Sequence, residues 1–369
     1  MDLVVSADVE AGVVCLRVHG ATEWSFGTSA TRRSDLLTAC KKRPPDPALL
    51  PRELRNGFEY TGSPDGVDAN LLVMLHGFGD GPGPFSALGR KFSLPQTAVL
   101  ALRGPVALPL DLGHGWFEAI DLVSGDLISP ASREKRRVAS LASTLRLLDA
   151  LLLALAHQRG GGWGDPQRIF LFGFSQGGTV ALEWALARGA CRTGSGGGSK
   201  EIGKPFGGVV AVAAGLMEER RWPDLWPPPE QQVKKWPHGG GRCSACLIVS
   251  GLQDAIVPVW WVDRSAAEIS RAADMHAGPE PHAASPNDNH NGDESGVREG
   301  VSGRNGGSGE LFRGARVAWF EKGHGMLASA GEARAVMEFL APRLHRSSAW
   351  EQDPDVIEVA PGEASLTRV

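Results

Sequence analysis

The chain has 369 residues, 42% of them hydrophobic, enough apolar material for one large α/β domain carrying insertions, which is the expectation here in preference to two average domains. Its 38 basic and 42 acidic residues leave a formal net charge of -4. That balance does not suggest nucleic acid or an anionic membrane as the main partner, and small or neutral substrates fit it better.

From the start, MDLVVSADVEAGVVCLRVHG has no positively charged leader, and acidic residues interrupt its apolar part, so it does not read as a signal peptide. Residues 1–55 are expected to be an N-terminal extension, closing in the proline-rich joint KKRPPDPALLP. Strand patterns follow at 57–61, 70–76 and 97–103, with a helix at about 84–93. A long helix is expected at about 133–158, where Leu141, Leu145, Leu148, Leu152 and Leu155 keep the spacing of a helix lying on a sheet. Within it, the most apolar stretch, LASTLRLLDALLLALA from Leu141, contains Arg146 and Asp149 and is too polar and too short to be expected in a membrane. Beyond it, strands at 168–174, 207–213, 245–251 and 315–320 alternate with helices at about 176–189, 259–273 and 329–345.

Three stretches, 192–200, 237–242 and 276–309, are glycine-rich or lack apolar periodicity and read as disordered surface insertions. Residues 346–369 read as an acidic C-terminal tail. Short apolar strands separated by amphipathic helices imply a mostly parallel sheet covered on both faces, with functional groups at the carboxyl ends of the strands.

The five cysteines are odd in number and scattered, which argues for a reducing, cytoplasmic setting. Cys243 and Cys246 form a C-x-x-C that no second pair completes, so they are read as buried packing and no metal is expected.

The stretch RIFLFGFSQGGTVALEW, 168 to 184, changes from β-forming to helix-compatible at one serine. Residues 173–177 are G-x-S-x-G, a turn that projects a serine hydroxyl at the head of a helix only when its neighbours are small. With 48 glycines in the chain, the pentapeptide alone is weak, and its strand–turn–helix setting gives it weight. Ser175 needs a base, and His324 is the only one of ten histidines that directly follows a late strand, in VAWFEKGHGM. Asp254 follows the preceding strand in CLIVSGLQDAIVP. The order Ser175, Asp254, His324 is that of the α/β-hydrolases. Gln176 and, in the early loop LLVMLHGFGDGPG, Phe78 would present backbone N–H groups to an oxyanion. His76 and Asp80 are expected to hold that loop rather than react.

Bland alternatives stand beside each of these: a strand-end serine bonded to backbone, an Asx turn at Asp254, a solvent-facing loop histidine at 324. SREKRR at 132–137 reads as the solvated start of a helix. GSKEIGKP has Pro205 where a phosphate-binding loop needs a hydroxyl, and HGFGDGPG has Pro82 at the third glycine of a dinucleotide fingerprint, so neither supports nucleotide binding.

Taken together, LHGFGD at 75–80, GFSQGG at 173–178, GLQDAIVP at 251–258 and GHG at 323–325 resemble the phospholipase/carboxylesterase family, which includes acyl-protein thioesterases, over roughly residues 56–345 without the insertions. The resemblance implies an α/β-hydrolase fold and cofactor-free hydrolysis of esters or thioesters. It also implies a Ser175–His324–Asp254 triad with donors at Phe78 and Gln176. ALRGPVALPLDLGHGWFEAID resembles the family's segment ending in a Trp-Phe pair, here Trp116 and Phe117, which are candidates to line a substrate pocket. Trp222 and Trp226 are weaker candidates. The substrate would be a small ester or an acylated protein, with stable membrane insertion not expected. A second reading is a hydrolase-fold binding module that recruits a protein partner through its insertions.

Overall fold

The computed structural model describes residues 44–121, 123–157, 161–190, 205–222, 224–225, 243–274 and 314–346, together with short strands near the two chain ends. The three expected insertions, and Trp226, lie outside the described residues.

Near the start are β1 (Leu3–Asp8), β2 (Val13–Val18), β3 (Trp24–Phe26) and β4 (Thr31–Arg32). The main unit follows with β5 (Phe58–Thr61), β6 (Asn70–Leu75), α1 (Pro82–Phe92) and β7 (Thr97–Leu102). A hairpin of β8 (Val106–Ala107) and β9 (His114–Gly115) precedes α2 (Lys135–Ala156). Next come β10 (Ile169–Phe174), α3 (Gln176–Ala190), β11 (Gly208–Val212), β12 (Cys246–Gly251), α4 (Val259–Asp274), β13 (Ala315–Phe320) and α5 (Ala330–Leu340). Two strands end the chain, β14 (Val356–Val359) and β15 (Leu366–Arg368).

Seven strands form the central sheet in the order β13-β12-β11-β10-β6-β7-β5. All neighbours run parallel except β5, which joins β7 antiparallel at the edge. Every residue of β6, β7, β11 and β12 is buried, as helices on both faces require of a parallel sheet. On one face pack the leucines of α2 with Val180 and Trp184 of α3 and Val262 and Ile269 of α4. The other face carries Phe85 of α1 and Val336, Phe339 and Leu340 of α5.

From β6 the chain builds outward to β7, then returns through α2 to place β10 on the other side of β6. That reversal, between β6 and β10, is the topological switch point, beside whose carboxyl strand ends open α/β sheets form their ligand sites. The seven strands expected from sequence lie within a residue or so of their observed limits. The strands at the chain ends were not expected: β14 pairs antiparallel with β2 and β4, and β15 with β3, so the N-terminal extension and the C-terminal tail share sheets.

Two expectations need correction. By length and composition the helix Lys135–Ala156 does suffice to cross a membrane, despite Arg146 and Asp149; half of its apolar window is buried inside the fold, against the sheet. The start of that helix is also not simply solvated. Arg137 is buried, ion-paired with the buried Glu219, and its guanidinium stacks over Phe117. Cys243 and Cys246 are free thiols buried in the fold, and burial pushes the Cys246 thiol far up. Among the described residues no His, Cys, Asp and Glu group could hold a metal ion.

Candidate active site

Ser175 stands between β10 and α3 with φ of 50°, a left-handed conformation that costs a residue with a side chain roughly 1–3 kcal/mol. The surroundings enforce it. The Ser175 N–H donates to the Val212 carbonyl at 2.9 Å, and its carbonyl accepts from Thr179 N–H at 3.0 Å. A Cβ on Gly173 would lie 2.3 Å from the Gly177 carbonyl oxygen, and one on Gly177 would lie 2.4 Å from the carbonyl oxygens of both Leu75 and His76. Only glycine fits at either place, which is the steric content of G-x-S-x-G.

The Ser175 Oγ is 2.9 Å from His324 Nε2, and His324 Nδ1 is 2.9 Å from Asp254 Oδ2. The Asp254 side chain is 0% exposed, against 22% for His324. Its other oxygen, Oδ1, accepts the N–H groups of Ile256 and Val257 at 2.9 and 2.8 Å. The Asx turn and the histidine contact are therefore both present, one on each carboxylate oxygen. An ionised carboxylate accepts only, so His324 carries its proton on Nδ1 and turns a lone pair on Nε2 toward the serine. The imidazole also lies against the Phe174 ring, centroids 5.4 Å apart.

Phe78 lies in the loop after β6. That loop is held across the β8–β9 hairpin, where Gly79 N–H donates to the His114 carbonyl at 2.9 Å and His114 N–H to the Asp80 carbonyl at 3.2 Å. Asp80 Oδ1 takes the Gly81 N–H at 2.8 Å. His76 is buried, accepting the Gly104 N–H on Nε2 at 2.8 Å and donating from Nδ1 to the Gly77 carbonyl at 2.6 Å. Burial lowers its pKa, so it stays neutral and acts as a brace. Among the described residues no group accepts the N–H of Phe78 or of Gln176, the first residue of α3. The Gln176 N–H lies at the head of α3, where the helix dipole is positive.

Trp116 and Phe117 sit differently from expectation. Trp116 is 0% exposed and belongs to the core. Its indole N–H donates to the His76 carbonyl at 2.8 Å and its own carbonyl accepts from Thr144 Oγ1. With no solvent-facing surface it is a support under the early loop, not a pocket wall. Phe117 is 5% exposed and pinned by Arg137. What ties this pair to the site is the Gln176 side chain, whose Oε1 accepts the Trp116 N–H at 2.6 Å and whose Nε2 donates to the Phe117 carbonyl at 2.9 Å. Sequence reasoning used only the Gln176 backbone, and nothing local announces that its amide bonds sixty residues away.

A second group missed in the sequence anchors the segment after β11. Glu183 of α3 is fully buried and takes the Met217 N–H at 2.8 Å and the Arg220 guanidinium at 2.8 and 2.6 Å. Glu219 meets Arg137 alongside. A buried glutamate inside the apolar run TVALEWALA was the available signal, because a carboxylate stays buried only when it is paired.

A mostly parallel sheet with a serine on the sharp turn after a central strand, and an aspartate and a histidine after later strands, is the arrangement of the α/β-hydrolase fold. The solved esterase PE8 shares the fold, with a TM-score of 0.50 at 20% identity over 78% of this chain and 99% of that one. Residues 56–195 match the model of the Phospholipase/Carboxylesterase family. The chain is also 34% identical over 161 residues to an uncharacterized hydrolase of Mycosarcoma maydis, a match covering 42% of this chain and 53% of the relative. It is 32% identical over 121 residues to an uncharacterized hydrolase of Schizosaccharomyces pombe, covering 31% and 44%. The matches thus span about half the length of these curated relatives. The resemblance seen in the motifs is borne out for the segment that holds Phe78, Ser175 and Gln176.

Proposed function

We propose that this chain hydrolyses carboxylic esters or thioesters through an acyl-enzyme formed on Ser175. What supports this reading most is the continuous hydrogen-bonded chain from Ser175 Oγ through His324 to Asp254, 2.9 Å at each link, with the N–H of the adjacent Gln176 unengaged. His324 Nε2 takes the hydroxyl proton as Ser175 Oγ attacks the carbonyl carbon, and Asp254 Oδ2 stabilises the imidazolium through Nδ1–H. The oxyanion that forms is held by the N–H groups of Phe78 and Gln176. As the intermediate collapses, His324 returns the proton to the leaving alcohol or thiol, and water repeats the sequence to release the acid and free Ser175. No step needs a metal or cofactor. The substrates are small esters or acylated proteins, the range of a carboxylesterase, acyl-protein thioesterase or lysophospholipase. A reducing, cytoplasmic setting fits the free thiols of Cys243 and Cys246.

A fluorophosphonate probe tests the nucleophile. Wild type should label and Ser175→Ala should not; folded wild-type protein that fails to label would favour the binding-module reading. A series of p-nitrophenyl esters and acyl thioesters of increasing chain length then separates the three substrate classes.

A further inference from the structure

The loop that carries His324 has almost no main-chain support. Between Lys322, whose carbonyl accepts the Gln253 N–H at 3.0 Å, and Ser329, whose carbonyl accepts the Ala333 N–H at 3.1 Å, no backbone–backbone hydrogen bond is made among the described residues. The loop is held instead by one ion pair. The Lys322 ammonium donates to the Gly325 and Met326 carbonyls at 3.0 and 3.3 Å and pairs with Glu332 Oε1. Glu332 Oε2 accepts the N–H groups of Ala328 and Ser329 and the Ser329 hydroxyl, at 2.9, 2.8 and 2.9 Å. The Glu332 side chain is 2% exposed and that of Lys322 15%, so water competes little for these bonds.

Lys322 also reaches the acid. Its carbonyl oxygen packs so closely on Gly251 that a Cβ there would lie 2.1 Å away, and it holds Gln253, the residue before Asp254. One residue thus touches the acid loop with its main chain and the base loop with its side chain, while Glu332 fastens both to α5.

We infer that Lys322 and Glu332 are positioning residues that hold His324 in line between Ser175 and Asp254. They touch no reacting atom and act through the base. This rests on the hydrolase reading for its kinetic consequence but not for its structural one. Without the ammonium, the Gly325 and Met326 carbonyls lose their donor, and the imidazole is free to drift by the ångström or so that costs about 100-fold in rate.

The test is Lys322→Met, with Lys322→Arg as the conservative variant, in the full-length protein. Lys322→Met should keep its cooperative thermal transition and lower kcat on a p-nitrophenyl ester about 100-fold, with KM changed less than about twofold. Lys322→Arg, which still offers donors to the two carbonyls, should recover most of the loss. Independently of turnover, the downfield proton resonance of the His324–Asp254 hydrogen bond should be present in wild type and lost in Lys322→Met. Unchanged kcat and an unchanged resonance in folded Lys322→Met would overturn the inference. So would parallel losses of kcat, KM and thermal stability that Lys322→Arg shares. Wild-type protein that shows the resonance but neither turns over esters nor labels would sink the hydrolase reading alone, leaving the resonance in Lys322→Met to decide the positioning role.

Discussion

Around Ser175, position is set by main chain. The strained turn is wedged between β11 and the loop after β6, with glycines at 173 and 177 meeting carbonyl oxygens at distances no Cβ could share. Around His324, position is set by side chains, through Asp254 with its two turn N–H groups and through the Lys322–Glu332 pair. The first arrangement resists local substitution of the reacting group but not of its neighbours. The second inverts this, being tolerant in its backbone and sensitive to charge. The contrast follows the family match too, since residues 56–195 contain Phe78, Ser175 and Gln176 but neither Asp254 nor His324.

Ser175→Ala should give the largest effect. Turnover should fall by about 10⁶, while the urea midpoint stays within error, because the turn's shape does not depend on the hydroxyl. A clear loss of stability there would break the claim that main chain sets this half. Asp254→Asn should lower kcat about 10⁴-fold. Oδ1 can still accept from Ile256 and Val257, but an amide facing His324 Nδ1 imposes the wrong tautomer. If Asp254→Asn instead unfolded the protein, its turn would outrank its contact with His324. Gly177→Ala should cost stability rather than chemistry, at or above the upper end of the roughly 1–3 kcal/mol typical of overpacking, read from urea denaturation. A stable Gly177→Ala protein would show the turn to be softer than its geometry.

The smallest effect concerns acid. Burial pushes the Glu332 carboxyl up, but the Lys322 ammonium and the N–H donors of Ala328 and Ser329 outweigh it, and its pKa is lowered from 4.5 in the folded protein. The stability it contributes is therefore complete above the unfolded value and is lost as pH falls from about 4.5 through the lowered folded one. Hydrogen exchange should show residues 322–329 opening in that window before the nucleophile turn does. Simultaneous opening of both would remove the distinction between the two halves.

Much of this was legible in the sequence. The strand at 169–174 shows as an apolar β-forming run that ends just before Ser175, and the α2 leucines repeat at helical spacing, because burial on a sheet demands that period. Ser175, Asp254 and His324 could be singled out because each lies in the loop that follows a strand, and a parallel sheet brings such strand ends to one edge. Trp116 was misplaced because sequence shows that a residue is aromatic but not whether its ring faces a cleft or the core.

What the sequence by itself determined was the element order, the burial of the strands and the types of residue at each strand end, since these follow from local periodicity and the sterics of glycine. Only the tertiary structure decided how those residues are held. The Gln176 amide on the main chain of Trp116 and Phe117, and the side-chain pairs Glu183 with Arg220, Arg137 with Glu219 and Lys322 with Glu332, are polar contacts whose partners are chosen by which elements pack together. Once buried, each charge must find a partner or lose its ionisation, and the partner is whatever the fold has placed within reach.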